Sequence, residues 1–546
     1  MSPPLLYPPA AASGRRRMQC FQTKGKNGEP ALDKLPTDIL IAILHLLDPM
    51  DIISMRMTCR AFGMGSYTKA VWLGALERVC EAHGILERSF PAQDMSTEEL
   101  EHAATAPTRF LSLFSDQKPP PSRASTRNPN CDLRPTLVQT VPLDAPRSGG
   151  VYLVPGGRYL FVNEGRLALW DVGYRVGTRV KRLARLEARW PVTLRAIGPC
   201  ASGSGEIALA VVSGSSVSWM GRPNIPMDTD QMAIFSLYMY HIDPSQGTEA
   251  RFAVKGELRL GLSTYDRPCS VDISQGTLIM VKDSHFVAWN WVENKGCKWE
   301  TIVPLGGEGK VFVSGRVILG YRGHSAMAAW PFPTPTQFSP LPGNQVLSIA
   351  DFPVIFNKCK QIHLQNSLSA APGIQWFPCQ LTMPEANRTW RKYDASEAPS
   401  AQTLCLMPIL PPPLRLYSLD PRLQLDGAPC WVAQLDAASP DIYGENDMDG
   451  FLKPVSPLYR CQNGFVMCSA TTESGLVATL LPAGGQPARA RAFLSRSRRL
   501  TPSHSIEARD FENGHQIDFC PFSGRLVYVT KEGEVLVVDY LPLPGL

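Results

Sequence analysis

The sequence lacks the patterns of a secreted, membrane-spanning or metal-rich protein. Its 14 cysteines in 546 residues are scattered and include no Cys-x-x-Cys pair, which argues against a disulfide scaffold or a zinc finger. No apolar run approaches the ~20 residues that a transmembrane helix needs. The N-terminus has no basic segment followed by an apolar core, so no signal peptide is predicted. We therefore expect reduced thiols, a cytosolic or nuclear location and no membrane contact.

Neither the charge nor the motifs indicate nucleic-acid binding or catalysis. The 54 basic and 49 acidic residues leave a net charge of +5, which is too even to indicate a nucleic-acid partner. The nine histidines are dispersed, and none has the spacing of a metal-ligand pair. The metalloprotease pattern His-Glu-x-x-His and the hydrolase pattern Gly-x-Ser-x-Gly are both absent. We predict no catalytic residue, no metal site and no cofactor.

Three short segments come close to known motifs but depart from them. Residues 306–310 resemble a phosphate-binding loop, but Pro304 replaces its first glycine, so we predict a turn before a strand. Residues 445–450 place oxygens as a calcium loop does, but Ser456 stands where a bidentate glutamate is needed. The sequon at 387–389 is inert outside the secretory pathway. None of the three changes the prediction.

Proline is plentiful, and its distribution helps to divide the chain. The 49 prolines are about 9% of the residues, against a usual ~5%, which favours strands, turns and loops over long helices. The basic, proline-rich start is typical of a disordered arm, and a nuclear-localisation role for it is the alternative. The predicted divisions are a disordered arm over 1–30, a small helical module over 31–80, a helical extension over 81–117, a linker over 118–130 and a β-rich domain over 131–546.

The strongest local signal is a run of helical sequence over residues 35–62. Pro36 suits a first helical position, where its missing N–H costs nothing. Asp48 before a proline is typical of a new helix start, which predicts a second helix extending to Cys59. A third helix is predicted over about residues 68–80. The apolar residues at helical spacing in the first helix are Ile39, Leu40, Ile43, Leu44 and Leu47.

Taken together, the features of this run match one small docking module. They are Leu35-Pro36, the turn Leu47-Asp48-Pro49, the segment Arg56-x-x-Cys59-Arg60-x-Phe62 and a terminal Trp72. The run resembles an F-box. In that family the module binds a Skp-type adaptor, which links to a cullin scaffold. The residues that the resemblance implies for the adaptor-facing side are Leu35, Pro36, Leu40, Ile43, Leu47 and Pro49. The alternatives are that these helices pack on the rest of the chain, or that some of these residues belong to the module's own core.

The segment after the module predicts one more helix and a break. Ser96 to Glu99 has the Ser-x-x-Glu pattern of a capping box, which predicts a helix start. We expect that helix to end at Pro107, with another helical turn or two over 109–114.

Two segments of the β-rich region match each other closely. Residues 155–171 and 521–539 each contain a strand, a tight turn with glycine and a second strand that ends in aspartate. They resemble the inner strands of a WD-repeat blade, and weaker echoes recur between them. At ~40–45 residues a blade plus loops, the region would hold about seven blades. If the ring closes, a strand over 137–141 would complete the blade that contains the C-terminal hairpin.

The predicted fold class is therefore α plus all-β multidomain, with a three-helix F-box followed by a β-propeller of about seven blades. A β-sandwich or two separate β-domains is the alternative. The resemblance implies a substrate receptor of a ubiquitin ligase, and the overall texture resembles the F-box families of basidiomycete fungi. A propeller scaffold without a role in degradation and an enzyme hidden in the β-domain are the competing functions.

One basic cluster suggests how a target could be recognised. Guanidinium groups bind phosphate through paired hydrogen bonds, and F-box proteins with WD propellers often recognise phosphorylated segments in this way. The alternative is a solvated loop between blades. The clustered residues are Arg489, Arg491, Arg496, Arg498 and Arg499.

Overall fold

The structure is a computed structural model of the chain, and its description covers the helical N-terminal part and much of the β-rich part. The described residues are 35–83, 85–113, 132–133, 135–144, 150–163, 166–175, 177–188, 192–200, 205–214, 233–262, 270–274, 276–282, 285–300, 310–314, 317–322, 326–343, 345–355, 360–362, 379–382, 402–408, 415–425, 428–438, 453–454, 459–461, 464–471, 475–482, 496–500, 517–530 and 532–541.

The described N-terminal part is helical. Its α-helices are α1 (Thr37–His45), α2 (Pro49–Arg56), α3 (Arg60–Ser66), α4 (Lys69–His83) and α5 (Thr97–Ser112), with a short 3₁₀ helix at Glu87–Ser89. We call residues 35–113 the helical module.

The predicted second helix is divided in two, so four helices begin before residue 80 instead of the three that were predicted. α2 ends at Arg56, and Cys59 is extended with φ −151° and ψ 165° before α3 begins. This extended residue turns the chain and lets α3 pack against α1. There a Cβ added at Gly65 would lie 3.3 Å from Cδ1 of Leu44. Helical spacing could not predict this turn, because it depends on packing between helices.

A partly buried charged side chain packs beside the core of the helical module. Trp72 is fully buried, and its Nε1 donates a hydrogen bond to the carbonyl oxygen of Ser66 at 2.7 Å. Arg56 donates from Nε to the hydroxyl of Ser66 at 2.9 Å and lies 4.7 Å from the centre of the Tyr67 ring. Its guanidinium also pairs with Glu101 of α5 at 2.6 Å. Arg56 therefore links α2, α3 and α5.

The helix α5 begins as predicted but does not end as predicted. Ser96 and Glu99 form the capping box, with hydrogen bonds of 2.9 and 3.3 Å between side chain and backbone. The expected break at Pro107 is absent, and α5 continues to Ser112. Phe110, beyond the proline, is fully buried and packs on the β-rich part, which explains why the helix persists.

A histidine in α5 stays neutral at physiological pH. Burial, followed by the positive charge of Arg109, lowers the pKa of His102 to about 4. The neutral ring can therefore accept a hydrogen bond at Nδ1 from the guanidinium of Arg109.

The β-rich part consists of many short strands. Those up to residue 300 are β1 (Asp132–Leu133), β2 (Leu137–Val141), β3 (Val151–Leu153), β4 (Tyr159–Asn163), β5 (Leu167–Asp171), β6 (Lys181–Arg185), β7 (Val192–Pro199), β8 (Ile207–Gly214), β9 (Ala233–Ile242), β10 (Ala253–Leu262), β11 (Ser270–Ser274), β12 (Thr277–Lys282), β13 (His285–Asn290) and β14 (Lys295–Glu300).

The remaining strands lie between residues 310 and 539. They are β15 (Lys310–Ser314), β16 (Val317–Arg322), β17 (Ala326–Pro331), β18 (Ser339–Pro340), β19 (Val346–Leu347), β20 (Lys360–Ile362), β21 (Cys379–Thr382), β22 (Gln402–Pro408), β23 (Arg415–Leu425), β24 (Ala428–Ala438), β25 (Lys453–Pro454), β26 (Tyr459–Cys461), β27 (Gly464–Thr471), β28 (Gly475–Pro482), β29 (Arg496–Leu500), β30 (Ile517–Cys520), β31 (Arg525–Val529) and β32 (Val535–Asp539).

Within the described residues these strands form seven sheets that follow one another along the chain. Their strand orders are β3-β4-β5-β6, β19-β10-β9-β8-β7, β11-β12-β13-β14-β18, β15-β16-β17-β20, β21-β22-β23-β24, β1-β29-β28-β27-β25 with β26 beside β27, and β2-β32-β31-β30. We call them the first to the seventh sheet. A sandwich would have two facing sheets, so this alternative does not fit the described residues. The α plus all-β class is confirmed, and the blade number stays a prediction.

The first and seventh sheets meet at a seam. The predicted closing strand is present, since β2 pairs antiparallel with β32 from Leu137 opposite Asp539 to Val141 opposite Val535. On the other side of the seam, β3 of the first sheet contacts β30 and β31 of the seventh. An N-terminal strand therefore completes a C-terminal sheet, which covers an edge that would otherwise expose unpaired backbone groups.

The two matching sequence segments make the same ion pair in the first and seventh sheets. Arg158 pairs with Asp171 at 2.8 Å, and Arg525 pairs with Asp539 at 2.7 Å. Arg525 also donates to the carbonyl oxygens of Gly157 and Gly173 at 2.5 and 2.6 Å, across the seam. The aspartate that ends each repeat is thus paired with an arginine at or just before the start of the preceding strand.

Apolar side chains fill the spaces between neighbouring sheets. Phe161 and Tyr240 belong to the cluster between the first and second sheets. Trp289 belongs to the cluster between the second and third. Between the third and fourth sheets, the rings of Phe286 and Trp330 lie 4.5 Å apart. The free thiols whose side chains are described are Cys59, Cys80, Cys200, Cys297 and Cys520, and all but Cys59 are buried.

Candidate functional site

The helical module carries a concentration of exposed apolar side chains. Among the described residues, more than half of the exposed large hydrophobic residues lie within its first three helices and their connections. Leu46 is the most exposed, at 85%. An apolar patch on a small module indicates a binding surface. The exposed apolar residues of the module are Ile39, Leu46, Met50, Met57, Met64 and Tyr67.

Part of this patch is one stripe along α1. Pro36, Ile39, Ile43 and Leu46 are spaced three or four residues apart, so they lie on one side of the helix. We call these four residues the outer stripe. The adjacent side of α1 carries Leu40 and Leu44, both buried in the core of the module. The helix thus presents one apolar side to the core and a second apolar side outward.

The structure divides the predicted adaptor-facing residues between these two environments. Pro36 is exposed, and Leu35, Ile43 and Leu47 are half-buried. Leu40 is only 2% exposed, and Pro49 is buried at the start of α2. Leu40 and Pro49 therefore belong to the interior of the module, which the sequence could not separate from its surface. Ile39 and Leu46 are exposed but were not in the predicted set, although their helical spacing from Pro36 was available as a signal.

The opposite side of the helical module packs on the seam between the first and seventh sheets. The rings of Phe110 and Phe519 lie 5.5 Å apart, and those of His83 and Phe522 lie 4.7 Å apart. The module and both sheets share one buried apolar cluster, which includes Ile85. The alternative prediction was that the helices pack on the rest of the chain. It holds for α4 and α5, but not for the outer stripe.

Polar contacts fix the same junction. Arg88 pairs with Asp243 of the second sheet's β9–β10 connection at 2.6 Å. The hydroxyl of Tyr159 donates to the carbonyl oxygen of Arg88 at 3.2 Å, and that of Ser89 donates to the carbonyl oxygen of Pro155 at 3.1 Å. Because these bonds join the 3₁₀ helix to two sheets, the module is held in one orientation on the β-rich part.

Gly156 is required at this junction for its conformation and for its small size. Its φ is +103°, and a Cβ there would lie 2.7 Å from Cβ and Oγ of Ser89 and 2.8 Å from Cγ2 of Ile85. We expect Gly156→Ala to lower the free energy of unfolding by roughly 1–3 kcal/mol and to increase protease cleavage between module and sheets. Thermal unfolding and limited proteolysis measure the two effects.

Gly247→Ala is the matched control, because Gly247 also has a positive φ, +60°, but has nothing within 4 Å of an added Cβ. It should carry the conformational cost alone. Equal protease sensitivity in both variants would contradict a junction packed against Gly156.

Only some of the clustered arginines lie within the described residues. Arg489 and Arg491 lie outside the described residues. Residues 496–500 form strand β29 rather than the loop that was the alternative, with Arg499 between Val477 and Asp132 in register. Since successive residues in a strand alternate between faces, position 499 lies on the opposite face from 496 and 498.

Of the remaining motif predictions, only the strand after residues 306–310 falls on described residues. The strand predicted after residues 306–310 is present as β15. The glycine-rich turn itself, the calcium-like loop at 445–450 and the sequon at 387–389 lie outside the described residues. No helix in the described part of the chain is both long and apolar enough to span a membrane.

A family model for the F-box domain matches residues 32–63. This segment is an F-box domain. It contains α1, α2 and most of α3, so the outer stripe lies entirely within the F-box. The predicted boundary at residue 80 added α4, which packs against α5 and α1 in the same module.

Some solved structures are similar to part of this chain but distant from it in sequence. One is the β-propeller domain of Cps50 (Swd1) from Myceliophteria thermophila, with a TM-score of 0.41, 9% identity and coverage of 74% of this chain and 99% of that one. Another is that of the RRP9 WD40 repeats, with a TM-score of 0.36, 9% identity and coverage of 74% and 97%. No curated protein sequence matches the chain.

Proposed function

We propose that this protein is the substrate-recognition subunit of an SCF-type ubiquitin ligase. Its F-box binds a Skp-type adaptor, and through it a cullin, while the β-rich part binds the protein to be ubiquitinated. The observation that carries the proposal is an F-box domain whose first helix leaves an apolar stripe exposed while its other side builds the core. Such a stripe needs a partner to cover it.

The proposed docking residues revise the set taken from sequence. Leu35, Pro36, Ile43 and Leu47 stay in it, because each has exposed or half-buried surface. We add Ile39 and Leu46, because both are exposed, and we propose that the buried Leu40 and Pro49 support the surface from beneath.

The mechanism is proximity rather than catalysis by this chain. A receptor that holds a target beside the ligase raises the effective concentration of the target's lysines near the transferring enzyme. Transfer of ubiquitin takes place on other subunits, so we assign this chain no catalytic residue and no cofactor. Such a receptor acts in the cytosol or nucleus, on a protein target rather than a nucleic acid or a membrane. Phosphate binding by Arg489, Arg491, Arg496, Arg498 and Arg499 stays a prediction.

Affinity purification of the tagged chain tests this function. The wild-type chain should co-purify with adaptor and cullin, and with ubiquitinated client proteins that accumulate when the proteasome is inhibited. The double variant Leu35→Ala/Pro36→Ala should lose adaptor and cullin but keep the clients, because clients bind the β-rich part.

Two other results would each contradict part of the proposal. A wild-type chain without adaptor or cullin would refute the F-box role. Adaptor binding without any client that accumulates would indicate a scaffold instead of a degradation receptor.

A further inference from the structure

The outermost strand of the first sheet carries a group of basic side chains that the F-box does not explain. β6 is the last strand in the order β3-β4-β5-β6, and within the described residues no strand pairs with its other edge. Arg179, Lys181, Arg182 and Arg185 lie in this strand or directly before it. We call these four residues the basic edge. An unpaired sheet edge can accept a further strand, and clustered charges of one sign attract the opposite sign.

The basic edge presents charge on both faces of β6. Arg182 is opposite Trp170 and Arg185 is opposite Ala168 in register, and both partners belong to the apolar cluster at the seam. Arg182 and Arg185 are therefore on the seam side of β6. Lys181 is on the other face, since successive strand residues alternate. Because β6 is the outermost strand, a segment lying along it can reach side chains on both faces.

One acidic side chain shows how the basic edge takes a carboxylate. Oδ2 of Asp144, in the segment after β2, accepts hydrogen bonds from Arg182 at 2.5 Å and from Arg185 at 2.7 Å. The guanidinium of Arg182 also lies 5.6 Å from the centre of the Trp170 ring, which helps to hold it in place. Each guanidinium has several N–H donors in a planar fork, and each of these arginines gives one of them to Asp144. Donors therefore remain for a second carboxylate.

The basic edge stays positive after this pairing. Asp144 offsets one of its four charges, and the ion pairs between described side chains do not include exposed Arg179 and Lys181. Charges on an edge strand also prevent pairing with another copy of the chain, but for that purpose either sign is sufficient. A cluster of one sign favours instead a ligand of opposite charge.

We propose that an acidic, extended segment of a partner protein binds along the basic edge. Its carboxylates pair with basic side chains on both faces of β6, and its backbone hydrogen-bonds to the unpaired edge of that strand. A single-stranded nucleic acid fits less well, because Trp170, the aromatic ring beside Arg182, is only 3% exposed and cannot stack on a base. In the proposed ligase this partner is the client, so the inference rests on the proposed function in that respect.

Fluorescence anisotropy of the purified full chain with a labelled peptide tests the inference. The probe is a fluorescein-labelled dodecapeptide of repeated Glu-Glu-Ser. We expect it to bind at low ionic strength and to bind more weakly as salt is added, because salt screens exposed ion pairs. The same peptide with glutamine in place of glutamate should not bind.

Charge reversal at the basic edge should weaken this binding. We expect Arg179→Glu/Lys181→Glu to lower the affinity for the peptide roughly tenfold, with an unchanged Tm because both side chains are exposed. Lys255→Glu/Arg259→Glu is the matched control. It reverses two exposed basic residues on β10 of the second sheet, so the net charge changes equally. The control should bind the peptide as the wild type does.

Removal of the resident carboxylate should have the opposite effect. Asp144→Asn releases Arg182 and Arg185 for the peptide, so we expect the affinity to rise about threefold. Glu293→Gln removes the same charge from an exposed position in the third sheet and should leave the affinity unchanged. Because Asp144 is 43% exposed, this variant keeps the test valid if the charge-reversed chain does not fold.

Three results would each overturn the inference. They are a wild-type chain that does not bind the peptide, a charge-reversed chain that is folded and binds it equally well, and a labelled single-stranded DNA that binds more tightly than the peptide. The measurement uses neither adaptor nor cullin, so its outcome is separate from that of the ligase role. A chain that co-purifies with adaptor and clients but does not bind the peptide would refute only the basic edge as a docking surface.

Discussion

Charge placed on the outer stripe is expected to abolish adaptor binding. The double variant Ile39→Asp/Leu46→Asp puts two carboxylates where the proposed interface is apolar. Loss of a buried anchor typically costs about 2 kcal/mol or more, so affinity for a Skp-type adaptor should fall at least ~100-fold for the pair. Titration calorimetry or surface plasmon resonance with the purified adaptor measures the change.

The fold should survive these changes, because both side chains are exposed in the free chain. Val292→Asp is the matched control, since Val292 is an exposed apolar residue at the β13–β14 turn of the third sheet. It should bind the adaptor as the wild type does. If the double variant also binds normally, the adaptor does not dock on the outer stripe, and Met57, Met64 and Tyr67 become the surface to test.

Removal of Arg525 is expected to destabilise the seam strongly. Arg525 and Asp539 are 3% and 2% exposed, and the guanidinium makes two hydrogen bonds to the carboxylate, of 2.7 and 3.1 Å. Arg525→Met leaves a buried carboxylate without its partner and two glycine carbonyls without their donor. Loss of one member of such a pair costs about 3–5 kcal/mol, which should lower Tm by roughly 3–6 °C in a β-rich part of this size.

The related pair in the first sheet provides the comparison. Arg158 and Asp171 keep about a fifth of their side-chain surface exposed, at 20% and 19%. Water can therefore solvate Asp171 after Arg158→Met, and we expect a loss of only about 1 kcal/mol. Similar Tm values for the two variants would show that burial does not decide the contribution of this pair. Differential scanning calorimetry makes the comparison directly.

Local chemistry predicted the features that depend on neighbouring residues. Three of these features each depend on a few consecutive side chains. They are the capping box of Ser96 and Glu99, the helix start at Pro49 and the hairpins of both matching segments. The pairing of β2 with β32 was predicted from a general rule, because natural proteins avoid leaving the edge of a sheet unpaired. These are the parts of the fold that the sequence specifies directly.

Features that depend on distant packing were not predictable in this way. Three such features depend on how the helices pack against each other and against the sheets. They are the extended conformation of Cys59, the continuation of α5 through Pro107 and the burial of Leu40. The contact between Cys200 and His241 is the extreme case, because strand pairing alone brings these two residues together. Of the candidate site, spacing could predict the apolar character of α1 but not which of its two apolar sides stays exposed.

The shared core at the junction has a consequence for the proposed ligase. Because α4, α5 and the 3₁₀ helix are packed and hydrogen-bonded to three sheets, the outer stripe keeps a constant direction relative to any client bound on the β-rich part. The receptor would then act as a rigid spacer rather than a flexible tether. Lysines of a client would be selected by their distance from the docking point, so moving a lysine on the client surface should change its modification more than changing the residues around it.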